Sequence, residues 1–319
     1  MSFFARFLLR EMLLALIVLF VLPAPAQDAK GFLPGQRVLL DAHNCYPYNG
    51  RWADRIQRAL STGTPLAIEN DLAWYTDSTT GTSRAVVAHG YPLTGKEPTF
   101  RDYFFEAVRP VVETALKDDS KSNWPLVVLN VNDLRGDDIG LHSALWELLG
   151  EYEDWLCTAV KSSDPDQVAP LDVKPVLVLT GGGGKEVKTF YDQVPVGGKL
   201  RLFGSADSGK ATNFRRWRNY SWRDVEPEGQ RKAGDWTPED AARLESLVDA
   251  AHKDGLWVRF YTLDGYPVLA NQGWGLEYNF GSLDAVKIRW KAVIGAGVDF
   301  VATDQYEEFA SLLRPSRKP

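Results

Sequence analysis

The sequence predicts an α/β protein folded as a (β/α)8 barrel, allowing some irregularity, and three observations carry that expectation. From Arg37 onward, short apolar strand-like runs alternate with helix-like stretches, the pattern of parallel βα units. The alternation runs through about 290 residues with no low-complexity tract or long linker, a length that suits one barrel domain over 27–319. Several apolar runs also end in polar residues that packing does not require, as expected where barrel strands deliver side chains to a common mouth.

The strand candidates, in order, are Val38 to Ala42, Pro65 to Glu69, Leu126 to Val131, Pro175 to Thr180, Lys199 to Phe203, the less regular Phe214 to Trp222, Leu256 to Leu263 and Asp299 to Thr303. Helix patterns lie between them at Trp52 to Ser61, Thr99 to Leu116, Ile139 to Val160, Lys185 to Gln193, Pro238 to Lys253, Leu283 to Ile294 and Tyr306 to Leu313. The Pro238 helix has a defined start, with Thr237 as N-cap, Pro238 at the first helical position and acidic residues in the first turn. It stops before Gly255, the residue type that follows helix C-termini. Arg84 to Ala88 reads as a strand returning from Asp71 to Asp77 through a turn-rich stretch, a hairpin-like excursion over the mouth. Trp217 and Trp222, interleaved with Arg215, Arg216, Arg218 and Arg223, read as a loop capping the barrel or as a lipid-headgroup or glycan surface.

Residues 1–26 read as a secretory signal, with Arg6 and Arg10 before an apolar core from Met12 to Leu22 and Ala24-Pro25-Ala26 as the cleavage site. The expected location is therefore secreted or periplasmic, with a retained N-terminal anchor as the alternative. Removing the segment moves the formal net charge from −6 to −7, because Arg6, Arg10 and Glu11 leave with it. That balance gives no support to nucleic-acid binding, which favours a basic footprint. Two cysteines, Cys45 and Cys157, exclude a disulfide-dense scaffold and allow either one bridge or two buried thiols.

The chemistry concentrates in three segments of the first third of the chain. Leu40 to Tyr46 delivers His43 and Asn44, Leu66 to Leu72 delivers Glu69 and Asp71, and Val86 to Thr94 delivers His89 followed by glycine. Residues two apart on an extended segment share a face, so Glu69 and Asp71 point the same way. Two carboxylates with an amide oxygen nearby form a hard-oxygen set suited to Ca²⁺ or Mg²⁺, and two imidazoles beside them can move protons. From the residues alone, a surface Glu and Asp beside a satisfied histidine remains the other reading. Gly181 to Gly184 with Lys185 reads as a phosphate-binding turn or as an ordinary βα connection. Arg259 and Tyr261 alternate on one strand and face either the mouth or the barrel interior, while His142 and His252 sit in helical patterns as packing or surface residues.

His43-Asn44-Cys45-Tyr46, Glu69-Asn70-Asp71 and His89-Gly90-Tyr91-Pro92-Leu93-Thr94, continued by Thr99-Phe100-Arg101-Asp102, resemble the catalytic half of calcium-dependent phosphoinositide-specific phospholipases C, within the phospholipase C-like phosphodiesterase barrels. The resemblance covers roughly residues 38 to 132, and Gly297 to Asp304 is similar to the closing strand of glycerophosphodiester phosphodiesterases. It implies a metal-assisted phosphoric diester hydrolase, with His43 as general base, His89 as general acid and Asn44, Glu69 and Asp71 as ligands of Ca²⁺, with Mg²⁺ as the alternative. The family's third carboxylate falls on Asn132, with Asn130 nearby, a departure that removes one negative charge and weakens cation binding. Lys185, Arg259 and Tyr261 are the expected substrate contacts. The implied partner is a phosphodiester, at a membrane phospholipid surface or in solution, bound by a monomer. A glycerophosphodiester phosphodiesterase acting on soluble deacylated lipids and a catalytically weak binding protein on the same barrel are the alternatives.

Overall fold

Strands buried on both faces read as continuous apolar runs, and the chain uses such runs to build a closed parallel barrel. A computed structural model describes residues 32–48, 52–118, 125–135, 138–267 and 276–314. The expected signal segment over 1–26 lies outside the described residues. Along the first half of the chain come β1 (Leu39–Ala42), α1 (Arg55–Ser61), β2 (Leu66–Glu69), β3 (Leu72–Thr76), β4 (Ser83–Val87), α2 (Glu106–Leu116), β5 (Val127–Val131), β6 (Leu134–Arg135) and α3 (Asp138–Glu151). Next are β7 (Thr158–Val160), β8 (Leu171–Asp172), β9 (Val176–Thr180), α4 (Gly184–Val187), β10 (Lys199–Leu200), β11 (Phe203–Ser205) and β12 (Arg215–Ser221). The chain closes with α5 (Pro238–Lys253), β13 (Trp257–Tyr261), α6 (Leu283–Ala296), β14 (Phe300–Thr303) and α7 (Tyr306–Leu313).

Eight strands pair in the order β1-β14-β13-β12-β11-β9-β5-β2, and β2 returns to β1 to close the barrel. Every pairing in this ring is parallel, so the C-terminal strand ends share one mouth. Two small sheets are added outside it, β10-β7-β8 and β4-β3-β6. The second contains the expected hairpin, with Leu72 opposite Val87 and Thr76 opposite Ser83, and β6 joins it parallel to β3. Thr237 caps α5 as expected: its hydroxyl accepts from Asp240 N while the Asp240 carboxylate accepts from Thr237 N.

Three expectations need correction. Of the readings of the tryptophan–arginine stretch, the strand holds and the capping loop does not: Arg215–Ser221 is β12, a barrel strand. Trp217 is fully buried and its indole N–H donates to Thr180 O at 2.9 Å, while the neighbouring arginines tie down backbone carbonyls, Arg216 that of Ala169 and Arg218 that of Gly209. The helix pattern from Ile139 to Val160 ends at Glu151, a 3-10 turn at Glu153–Trp155 follows, and Thr158–Val160 becomes a strand. Cys157 therefore lies outside any helix, and both it and Cys45 are buried free thiols. The run Lys199 to Phe203 is split, because Lys199–Leu200 pairs with β7 outside the barrel and only Phe203–Ser205 enters it. His142 packs against Phe190, and His252 holds Asp299 at 2.9 Å, so both serve packing.

Beyond the barrel, Trp222, Glu226 and Arg289 form a buried knot in which the Arg289 guanidinium donates to both carboxylate oxygens at 2.7 and 3.0 Å and the Trp222 indole at 2.7 Å. Removing one member of a buried ion pair leaves the other charge unpaired. Glu226→Ala should therefore lower unfolding stability by about 3 kcal/mol, read from the denaturant midpoint.

Candidate active site

The mouth of the barrel opens into a cavity of about 390 Å³ whose thirteen lining residues are all polar, charged or tyrosine. His43, Asn44, Glu69, Asp71, His89, Asn132, Arg259 and Tyr261 all line it. Lys185 does not: it lies exposed on the single turn of α4. Of the glycines before it, Gly182 serves close packing, since a Cβ there would collide with the Ser205 carbonyl oxygen. The lining also contains Asp133, Arg135, Asn219, Thr262 and Tyr278, none of which the strand-end pattern singled out.

The site has two supports. The barrel supplies His43 and Asn44 just past β1, Glu69 at the end of β2, and Arg259 and Tyr261 on β13. Asn219 on β12, Thr262 just past β13 and Tyr278 on the turn Leu276–Tyr278 complete that wall, and the small sheet β4-β3-β6 positions Asp71, His89, Asp133 and Arg135. Asp71 immediately precedes β3 and His89 follows β4, and Ala88 N donates to Asp71 O at 3.0 Å, so the hairpin brings its two ends together. Parallel pairing of β6 with β3 sets Asp133 and Arg135 beside them.

His43 is held from both sides. Its Nδ1 lies 2.9 Å from Asp304 Oδ1, and its Nε2 faces Thr262 Oγ1 at 3.2 Å and Glu69 Oε2 at 3.4 Å. Burial opposes a charge on this ring, but the Glu69 and Asp304 carboxylates outweigh it and hold its pKa up at about 9. Asp304, the residue just past β14, is fully buried. Burial works against its charge as well, yet Arg55 and His43 keep its carboxyl below the ordinary range. His89 stacks on Tyr46 with centroids 5.8 Å apart, and its Nε2 lies 3.8 Å from Asp71 Oδ2. Burial and then the Arg135 charge push its pKa down. The free site thus carries its proton on one imidazole and leaves the other neutral.

The donor set divides in the same way. Glu69 is committed: Oε1 accepts from Arg259 Nη2 at 3.0 Å and Oε2 from Asn44 N at 3.1 Å, while Arg259 also bonds Asp41 and Asn219. Asn44 Oδ1 accepts from the Tyr46 hydroxyl. Asp71 is buried beside Glu69 and Asp133, and burial together with those two acids raises its pKa well above the carboxylate range. Asp71, His89 and Asp133 each offer a ligand atom within 4.8 Å of the others. Asn130, level with Glu69 in the barrel register, is buried and neither amide atom has a hydrogen-bond partner among the described residues. Asp71, buried and repelled by its neighbouring acids, together with His89 and the partly exposed, Arg135-paired Asp133 forms a group that could hold a metal ion, and His43, Asp264 and Asp304 form a second such group among the described residues. Asn132, where the resemblance places the third ligand, lines the cavity beside Asp133.

Fold and site together define a parallel (β/α)8 barrel with a two-histidine, acid-lined mouth. In fold the chain is similar to the phosphatidylinositol-specific phospholipase C of Listeria monocytogenes, with a TM-score of 0.51 and 11% identity over 89% of this chain and 95% of that one. A glycerophosphodiester phosphodiesterase from Parabacteroides distasonis aligns with a TM-score of 0.48 and 13% identity, over 88% of this chain and 98% of that one. No family model matches the chain, and no curated protein matches its sequence.

Proposed function

We propose that the protein is a phosphoric diester hydrolase of the phospholipase C-like type, cleaving a phosphoinositide or related phosphodiester. The observation that carries this reading is the pair His43 and His89, delivered by different supports to one polar cavity, where the carboxylates around His43 raise its pKa and burial lowers that of His89. His43 gives its proton to the departing alkoxide while His89 takes one from the attacking hydroxyl, the reverse of the order the sequence resemblance implies. Arg135 and the Tyr261 and Tyr278 hydroxyls are placed to orient the anionic substrate. Asp71 and Asp133 would hold a divalent cation, Ca²⁺ or Mg²⁺, which neutralises the non-bridging oxygens of a phosphodiester when bound.

The polar and charged side chains that line the cavity among the described residues favour a substrate whose reacting end is a small polar headgroup. Hydrolysis of glycerophosphoinositol and of phosphatidylinositol vesicles should be compared at equal phosphodiester concentration. Turnover of the soluble compound alone favours the glycerophosphodiesterase form of the reading, and turnover of neither overturns it.

The pH dependence follows from the two imidazoles. Below the lowered pKa of His89 that ring is charged and accepts no proton, so kcat/KM rises with pH through a range under the ordinary imidazole value. Above about 9 His43 has lost the proton it donates, and kcat/KM falls again. Replacing Glu69 by Gln removes the leading charge that raises His43 and should move the falling limb to lower pH.

A further inference from the structure

We propose that Arg55, outside the cavity, is a positioning residue that fixes the proton-transfer geometry of His43 through Asp304. This rests on the phosphodiesterase reading of the cavity. Arg55 sits on the first turn of α1, is 1% exposed, and lines no part of the mouth. A guanidinium buried this completely needs partners; beside its stacking on Trp52 and its contact with the Tyr306 hydroxyl, Arg55 reaches the proton-transfer unit. Its Nη2 donates to Asp304 Oδ2 at 3.2 Å, and its Nη1 donates to the backbone carbonyls of His43 and Asn44, each at 3.1 Å.

The division of the Asp304 carboxylate is the central point. Oδ2 faces Arg55 and Oδ1 faces His43 Nδ1, while the Asn44 amide donates to both oxygens, so the arginine supplies the charged contact that turns the carboxylate toward the imidazole. The same guanidinium also holds the carbonyl at the root of His43, where the Tyr306 hydroxyl donates as well. Ring and root of the histidine are therefore referred to one rigid fork. Its planar, multidentate geometry is what lysine lacks, while lysine retains the charge. A residue serving only as core packing would need neither the carboxylate nor the site's own carbonyls.

The test is steady-state kinetics on a phosphodiester for the full chain, for Arg55→Met, Arg55→Lys, Asp304→Asn and the double variant Arg55→Met/Asp304→Asn, with proton NMR of the His43 Nδ1–H. Displacements of about 1 Å in such constellations cost on the order of 100-fold, so Arg55→Met should lower kcat by about 100-fold and leave KM within about twofold. Arg55→Lys should recover about tenfold of that loss. Groups acting through one another are non-additive, so the double variant should be no slower than Asp304→Asn alone. The downfield Nδ1–H resonance should persist in the lysine variant and vanish in the methionine variant. Should Arg55→Met fail to fold, the double variant, which leaves no unpaired carboxylate, carries the comparison with Asp304→Asn. A methionine variant that multiplies the Asp304→Asn loss, or that raises KM with kcat unchanged, overturns the proposal. If the unaltered chain hydrolyses no phosphodiester, the functional reading fails by itself, and the Nδ1–H comparison still decides the role of Arg55.

Discussion

His43→Ala and His89→Ala should each reduce phosphodiester turnover by about 10² to 10⁴, the range that positioned proton transfer contributes. The two losses should not multiply, because removing either half of a proton relay idles the other; the double variant should resemble the slower single one. The variants should differ in stability. His43 is half-buried and bonded to Asp304, so its loss leaves that buried carboxylate with Arg55 and Asn44 as its side-chain partners and lowers the melting temperature. His89 is half-exposed, and its loss should leave the melting temperature nearly unchanged. Turnover within twofold of the unaltered protein in both variants refutes the assignment.

Asp71→Asn should weaken binding of Ca²⁺ by at least about tenfold, measured by calorimetry on the full chain, since cation affinity follows ligand charge. Asp133→Asn should do the same, whereas Asn132→Ala should have the smaller effect. This ordering separates a cation centred on Asp71 and Asp133 from one centred on Glu69 and Asn44, whose oxygens already accept from Arg259, Asn44 N and the Tyr46 hydroxyl. Asp71→Asn should also stabilise the cation-free protein, because it removes a buried carboxylate that Glu69 and Asp133 repel. If Asp71→Asn binds Ca²⁺ as tightly as the unaltered chain, the cation site is misplaced.

The barrel was readable because its strands are continuous apolar runs and its α5 helix carries its own start signal in Thr237 and Pro238. Where local pattern and tertiary pairing disagreed, pairing won. Arg215–Ser221 reads as an irregular strand or a capping loop because its arginines are charged, and those charges are spent on carbonyls of neighbouring turns. Thr158–Val160 looked like the tail of a helix because nothing nearby in sequence announces its partners Leu171–Asp172 and Lys199–Leu200. The site divides similarly. Residues at strand ends, such as His43 and Glu69, were visible from position alone. Asp304 had the same signal, an acid directly after the last barrel strand, but 261 residues separate it from His43 and only closure of the barrel brings them together. Asp133 and Arg135 were hidden because β6 is two residues long, too short to leave a pattern.

That two-residue strand has a further consequence. The barrel wall carries His43, Glu69, Arg259 and Asp304, whereas the side sheet carries His89, Asp133 and Arg135 and is hydrogen-bonded to itself rather than to the wall. The two halves of the chemistry therefore ride on different sheets that share one core through Leu72 and Val87, and local opening of the smaller sheet should silence the site. Amide hydrogen exchange should register this as two tiers of protection, faster over Leu72–Val87 than over the barrel strands, with a bound cation at Asp71 and Asp133 slowing the faster tier alone.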